Sequence, residues 1–239
     1  MKTLGILGGM GPLAGAHFYR RVVELTAAEG DFQHIPTLLW SDPTIPDRTA
    51  CLLGQGESPR PALERGIGKL EAMGAEVIAV PCNTAFSYLS HPRDTLVIPD
   101  MPALAVRRAA LGGALRVGIL STRGTLRAGI YERAAASVGL LTVCPPNEEA
   151  ASLERLIYRQ KAGERIGREE YLAYAVRLFD RGADSVILGC TELSVAFTGA
   201  CHVGIVDALE VLARETVSLC GAPLREEVSP LDLRRAFVG

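Results

Sequence analysis

Short apolar segments alternate along the chain with longer segments of helical periodicity. The apolar segments predict β-strands, and polar and apolar positions between them recur at the spacing of amphipathic helices. Apolar strands that alternate with helices are typical of a parallel sheet covered on both faces, so the pattern predicts an α/β fold. The predicted strands are 3–7, 35–40, 76–80, 95–98, 115–120, 140–144, 184–188 and 203–206, with helices beginning near residues 13, 60, 102, 126, 148, 168 and 208.

The alternation contains an internal repeat with an offset of about 110 residues. Any parallel sheet can repeat an apolar strand followed by glycine, which is the alternative interpretation. The shared order and nearly constant offset favour a duplicated unit. The matching segments are 4–7 with 117–120, 74–84 with 182–192, and 98–100 with 205–207.

The repeat predicts two similar α/β halves. We expect a first half over residues 1–99, a second over 100–207, and a final segment, 208–239, that packs back on the first. Each half would carry a parallel sheet flanked by helices. Ligands of open α/β sheets bind beyond the carboxyl ends of the strands, so we expect an active site in the cleft between the halves.

Composition excludes several classes of protein. The chain has 239 residues, 25 Lys and Arg against 27 Asp and Glu, and 48% hydrophobic residues. A protein that binds nucleic acid is expected to have an excess of basic residues. A disordered chain is expected to combine low hydrophobicity with a high net charge. No apolar run approaches the ~18 residues of a membrane span, and the first residues lack the pattern of a secretory signal. We therefore expect a cytoplasmic protein with free thiols and no membrane partner.

Two of the six cysteines occupy equivalent places in the repeat. Cys82 and Cys190 each follow a predicted strand and precede residues that can open a helix. The dipole of a helix N-terminus lowers the pKa of a thiol from its usual value of about 8.5. The spacing of cysteine and histidine fits no common metal motif, so no metal is expected. Cys51, Cys144, Cys201 and Cys220 are predicted to be small buried hydrophobic residues.

A pair of opposed thiols has a specific chemistry. One thiolate can remove a proton from a carbon while the other thiol returns a proton to the opposite face, which is racemisation without a cofactor. Such a site must also stabilise a carbanion. Backbone N–H groups of the loop at 8–12 and hydroxyls of the loop at 121–125 are candidates. The first loop also matches a dinucleotide fingerprint, a weak signal because Pro12 interrupts the turn.

Three charged residues have both a functional and a structural interpretation. Arg48 follows a proline-stiffened segment and could hold a carboxylate bidentately, or it could be an exposed arginine paired with Asp47. Lys161 could supply a second positive charge, or it could be a solvated residue at a helix end. Glu192 could bind an ammonium group, orient the thiol of Cys190, or cap a helix.

These motifs together resemble the aspartate/glutamate racemase family, and its aspartate racemase branch in particular. The matching segments are GGMGP at 8–12, IPDRT at 45–49, PCNTA at 81–85 and GCTE at 189–192, so the resemblance covers nearly the whole chain. It implies two pseudo-symmetric α/β domains, no pyridoxal phosphate or other cofactor, a homodimer, and a small acidic amino acid as substrate, aspartate ahead of glutamate.

The resemblance also implies a role for each matching residue. Cys82 and Cys190 would be the acid/base residues, with Cys82 acting on the D enantiomer and Cys190 on the L enantiomer. Arg48 and Lys161 would bind the acidic side chain. The residues implied to hold the α-carboxylate and ammonium groups are Met10, Asn83, Thr84, Thr122, Thr125 and Thr191.

One position departs from the family pattern. Relatives usually continue the Cys-Asn-Thr-Ala motif with histidine, whereas here Phe86 follows Ala85. The missing imidazole affects the expected rate and substrate, but neither thiol. Alternatives left open by the sequence are a hydantoin racemase, a one-cysteine decarboxylase or isomerase, a non-catalytic binding protein and a nucleotide-binding protein.

Overall fold

The computed structural model describes residues 1–89, 96–197 and 203–225. Within these ranges the chain forms two parallel sheets, ordered β2-β1-β3 and β5-β4-β6-β7. The predicted α/β class is confirmed. The strands are β1 (Leu4–Gly8), β2 (Thr37–Ser41), β3 (Val77–Ala79), β4 (Arg116–Leu120), β5 (Leu141–Val143), β6 (Ser185–Leu188) and β7 (Ile205–Asp207).

Helices follow most of the strands and cover the sheets. The longer helices begin within two or three residues of the predicted starts. The helix predicted near residue 126 is in fact two helices, which meet at Gly129, whose φ is +62°. The helices are α1 (Pro12–Leu25), α2 (Arg48–Leu52), α3 (Arg60–Ala72), α4 (Met101–Leu111), α5 (Arg123–Ala128), α6 (Ile130–Ser137), α7 (Asn147–Lys161), α8 (Arg168–Asp180), α9 (Thr191–Ala196) and α10 (Ala208–Leu219).

The two sheets have equivalent strand orders. In each, the first strand of the half lies at the centre, with the second strand on one side and the third on the other. The second sheet continues to β7, whereas the strand predicted at 95–98 is reduced to one parallel bridge between Val97 and Val77. Residue 95 lies outside the described ranges.

Helix α10 packs against both α1 and α4. Arg21 of α1 and Glu210 of α10 form an ion pair with an Nε–Oε2 distance of 2.8 Å. Asp207 caps α10 by accepting from the backbone N–H of Leu209 and Glu210. The final helix thus contacts the first one, but residues 226–239 of the predicted final segment lie outside the described ranges, and the domain boundaries at 99 and 207 stay a prediction.

Close backbone contacts at two glycines shape the loops after the central strands. Gly9 has a φ of +98°, and a Cβ there would lie 2.3 Å from the backbone of Asp42. A Cβ on Gly124 would lie 2.7 Å from the Cα of Thr49. The second contact joins the N-termini of α2 and α5, so it brings the two halves together where the strands end. None of the helices in the described ranges has the length and apolar character that crossing a membrane requires.

Candidate active site

The two cysteines of the repeat lie at equivalent ends of equivalent strands. Cys82 follows β3 and precedes a short 3-10 helix, Asn83–Ser87, while Cys190 follows β6 and precedes α9. Both backbones are extended, with φ values of −156° and −143°. The side chains are 5% and 7% exposed. The fold therefore buries one thiol in each half, at the carboxyl end of its sheet.

The thiol of Cys190 is hydrogen-bonded to a carboxylate. Its Sγ donates to Oε2 of Glu192 at 3.0 Å. Burial raises the pKa of Cys190 well above its usual range, and the charge of Glu192 raises it further, against the opposing effect of Lys161. A thiol in these surroundings keeps its proton at neutral pH.

Lys161 ends α7 close to the same carboxylate. Its Nζ lies 3.9 Å from Oε1 of Glu192, and its side chain is 21% exposed. Burial by itself would lower the pKa of Lys161, but Glu192 and then Cys190 and Cys82 raise it above the usual range. Lys161 is therefore a charged group beside the Glu192 carboxylate, and it is not a solvated residue at a helix end.

Arg48 is buried and anchored to backbone carbonyls at the start of α2. Its guanidinium donates to the carbonyl oxygens of Met10 (3.0 Å), Ile45 (3.2 Å) and Pro46 (3.1 Å). Its Nε is buried and has no partner among the described residues. Burial would lower the pKa of Arg48, but the neighbouring Cys82 raises it. This arginine therefore faces Cys82 with one donor unused.

Asp47 does not serve as the main partner of Arg48. One of its carboxylate oxygens accepts from the N–H of Ala50 and caps α2, and the other accepts from the hydroxyl of Tyr158 at 2.7 Å. Burial would raise the pKa of Asp47, but these two hydrogen bonds lower it below its usual value. The interpretation of Arg48 as an exposed arginine paired with Asp47 is wrong, because Arg48 is 7% exposed and bonded to carbonyls.

Asn83 follows Cys82 with its side chain in a fixed environment. Its Oδ1 accepts a hydrogen bond from the hydroxyl of Tyr131, and its Nδ2 is buried without a partner among the described residues. Asn83 is 3% exposed. The arrangement leaves an amide donor next to Cys82 that none of the described residues satisfies and that a ligand could.

A cluster of buried threonine hydroxyls joins the two halves. Thr84 lies 2.8 Å from Thr125, Thr125 lies 3.2 Å from Thr122, and Thr49 donates to Thr122 at 2.9 Å. Three of the four were sequence candidates. Thr49 was missed, although it directly follows Arg48 in the motif that carried the resemblance.

The remaining candidates also lie beside these groups. Met10 is buried, and its carbonyl oxygen accepts from Arg48. The Thr191 hydroxyl is directed at Oε2 of Glu192, at 3.4 Å. Phe86 is buried in the 3-10 helix after Cys82. All the residues selected from the sequence are therefore placed around the ends of β1, β3, β4 and β6.

The sequence did not indicate the residues that hydrogen-bond to Glu192 and Asn83 from the surrounding helices. Gln160 donates from Nε2 to the carbonyl oxygen of Glu192 at 2.7 Å, and its Oε1 accepts from Tyr171 at 2.8 Å. Tyr131 holds Asn83. These residues lie on helices α6, α7 and α8, where an amphipathic pattern predicts core packing and gives no sign of a polar partner.

The chain is similar in sequence to known amino-acid racemases. In sequence the chain is 26% identical over 224 residues to the broad specificity amino-acid racemase RacX of Bacillus subtilis, covering 90% of this chain and 96% of that protein. It is 32% identical over 186 residues to a glutamate racemase of Desulforudis audaxviator, covering 73% of this chain and 62% of that protein.

The fold is also shared with solved structures. The Picrophilus torridus aspartate racemase superposes with a TM-score of 0.80 at 28% identity, over 97% of this chain and all of that one. The model of the Asp/Glu/hydantoin racemase family matches residues 7–216, which include both cysteines and every candidate residue around them. On that match, the chain belongs to the Asp/Glu/hydantoin racemase family.

Proposed function

We propose that this protein interconverts L- and D-aspartate, with glutamate as a second substrate, by proton transfer between Cα and two thiols. Membership of a racemase family makes it an isomerase that acts on amino acids. The observation that carries the rest is the pair of buried cysteines at equivalent strand ends with different neighbours. The thiol of Cys190 donates a hydrogen bond to Glu192, and Cys82 faces Arg48.

The different neighbours assign a starting role to each thiol. Cys190 keeps its proton, so it is the acid in the free enzyme, and Cys82 is the base. The Cys82 thiolate removes the Cα proton of D-aspartate and leaves the electron pair on the substrate as a carbanion. The Cys190 thiol then protonates the opposite face and becomes a thiolate. Reaction from the L enantiomer runs through the same steps in reverse, and it starts from the form of the enzyme in which Cys82 carries the proton and Cys190 is the thiolate.

The charged groups around the thiols suit a substrate with two carboxylates and an ammonium group. The unused donors, Nδ2 of Asn83 and Nε of Arg48, are both buried beside Cys82 and both call for an acceptor. Asn83 and the threonine hydroxyls bind the α-carboxylate, and Arg48 and Lys161 bind the side-chain carboxylate. The second oxygen of the Glu192 carboxylate binds the ammonium group. Neutralising the α-carboxylate stabilises the carbanion, and the reaction needs no pyridoxal phosphate.

Two further expectations belong to the same proposal. We expect the protein to act in the cytoplasm, where its thiols stay reduced, and to form a homodimer, as the resemblance implies. Size-exclusion chromatography with light scattering measures the second directly.

Exchange of the Cα proton with deuterated solvent tests the reaction. The wild-type protein, without added pyridoxal phosphate, is expected to exchange the Cα proton of either aspartate enantiomer and to produce the other. Cys82→Ala and Cys190→Ala are each expected to abolish racemisation, because each removes one of the two proton carriers. Cys144→Ser removes a thiol that donates a hydrogen bond to Glu132 and contacts none of the candidate residues by hydrogen bond among the described residues, so it serves as the matched control.

The substrate panel separates the proposal from its alternatives. Glutamate, alanine and a 5-substituted hydantoin are compared with aspartate under the same conditions. Exchange of the hydantoin alone would assign the chain to that branch of the family. Full activity of Cys82→Ala would point to a one-thiol mechanism, and the absence of exchange with every compound would refute the proposal.

A further inference from the structure

Tyr131 contacts the loops of both cysteines from one position in α6. Its hydroxyl donates to Oδ1 of Asn83, the residue after Cys82. Its ring lies against Gly189, the residue before Cys190, where an added Cβ would stand 3.0 Å from Cε2 of the ring. Tyr131 is fully buried. One side chain thus borders both halves of the site.

The hydrogen bond to Oδ1 decides which way the Asn83 amide points. An asparagine amide has an acceptor at one end and two donors at the other, and the two ends are nearly the same size. With Oδ1 bonded to Tyr131, Nδ2 points away from the tyrosine. That donor is buried and has no partner among the described residues. A buried donor without an acceptor costs about 1–3 kcal/mol, so this orientation is favoured when an anion accepts from it.

Tyr131 is suited to the role of a fixed donor. Burial raises its pKa well above the usual value, and the nearby Cys190, Asp207 and Asp100 raise it further. The phenol therefore stays neutral, with its proton, at neutral pH. It can therefore donate to Asn83 in every protonation state of the two thiols.

We propose that Tyr131 is a positioning residue, which holds Asn83 so that Nδ2 faces the α-carboxylate of the substrate. The inference rests on the proposed function, because that function supplies the carboxylate. Without the tyrosine hydroxyl the amide is free to rotate, and half of its orientations present an oxygen to the anion. The larger loss falls on substrate binding, with a smaller one on stabilisation of the carbanion, since neither thiol has changed.

Tyr131→Phe tests this role with little change of shape. We expect the KM for aspartate to rise roughly tenfold, the effect of one hydrogen bond to a charged group, with kcat changed by less than about threefold. Tyr174→Phe is the matched control. It also removes a buried tyrosine hydroxyl, but the partner of that hydroxyl is Ser152, at 2.9 Å. An unchanged KM in Tyr131→Phe would overturn the inference.

A double mutant separates positioning from general stability. In an Asn83→Ala background, Tyr131→Phe is expected to have no further effect on KM, because the group that it positions is absent. The same tenfold rise in both backgrounds would mean that Tyr131 acts by another route. If Tyr131→Phe does not fold, Asn83→Asp tests the same geometry. This substitution keeps an acceptor for Tyr131 and replaces Nδ2 by a negatively charged carboxylate oxygen. Because that oxygen repels the substrate carboxylate, aspartate binding should weaken by about a hundredfold.

Direct binding keeps the two proposals distinguishable. Calorimetric titration gives the Kd of D-aspartate for each variant whether or not catalysis occurs. If the wild type binds aspartate but exchanges no proton, the proposed racemisation fails, and the ratio of Kd values still decides the role of Tyr131. If the wild type neither binds nor exchanges any acidic amino acid, both proposals are overturned.

Discussion

The thiol of Cys190 donates a hydrogen bond to the carboxylate of Glu192, two residues later, at 3.0 Å. The equivalent residue in the first half is Thr84, which carries no charge and bonds to Thr125. The repeated fold therefore surrounds its two cysteines with different charges. At Cys190 the neighbouring carboxylate raises the pKa of the thiol, and this effect is open to direct measurement.

Replacing Glu192 is expected to lower the pKa of Cys190. In Glu192→Gln the negative charge that raises this pKa is gone, while Lys161, which lowers it, remains. At a fixed pH near 8 a larger fraction of the sulfur is then thiolate, and alkylation by iodoacetamide should be faster by about tenfold. Mass spectrometry of the peptide that contains Cys190 measures the rate as a function of pH.

The same substitution elsewhere in the second half provides the control. Glu149→Gln in α7 breaks a contact with Arg177 and should leave the alkylation rate of Cys190 unchanged. Equal rates in Glu192→Gln and the wild type would mean that the carboxylate does not hold the proton of Cys190. A common increase in both variants would instead indicate loosening of the fold.

Lys161→Met is expected to change substrate preference. The side chain loses its charge but keeps most of its length, so a bound side-chain carboxylate loses a partner. We expect kcat/KM to fall by about tenfold or more for aspartate relative to alanine. The lysine also affects Cys190, but that effect is common to both substrates and cancels in the ratio. Lys69→Met, whose ammonium lies over Trp40, is the control, and an unchanged ratio in Lys161→Met would refute side-chain recognition.

Hydrophobic periodicity predicted the part of the structure that depends on local sequence. Seven of the eight apolar runs are strands, the partly exposed edge strands β2 and β5 included, and the repeat alone pairs Cys82 with Cys190. Helices α2 and α9 span five and six residues, too short to show a period. The contact of Tyr131 with Asn83 joins positions far apart in sequence, and no local pattern encodes it.

Two glycine substitutions should shift stability in opposite directions. In Gly124→Ala the new Cβ would lie 2.7 Å from the backbone of Thr49, so α2 and α5 must separate. We expect a loss of about 2 kcal/mol in the free energy of unfolding, with weaker activity. In Gly68→Ala the Cβ meets no atom within 4 Å, and the residue lies inside α3. Alanine should there stabilise by about 0.5–1 kcal/mol. Urea unfolding measures both, and a neutral Gly124→Ala would mean that the two helices are not in tight contact.

His17 of α1 should make the protein less stable as the pH falls below 6.5. Burial, and then the charges of Arg20 and Arg21, lower its pKa from 6.5 to about 4. In the unfolded chain the imidazole takes up a proton near pH 6.5, whereas in the folded chain it stays neutral until about pH 4. Its contribution is therefore complete above pH 6.5, declines between pH 6.5 and 4, and changes little below that.

Substitution isolates this contribution from the carboxylates that titrate in the same range. His17→Gln keeps a polar side chain of similar size but takes up no proton in either state. The wild type should lose on the order of 2 kcal/mol more than the variant between about pH 7 and pH 4.5. Urea unfolding at several pH values gives both curves, and the carboxylates affect both equally. Parallel curves would show that His17 is protonated as readily in the folded chain as in the unfolded one. Burial and the two arginines would then not lower its pKa.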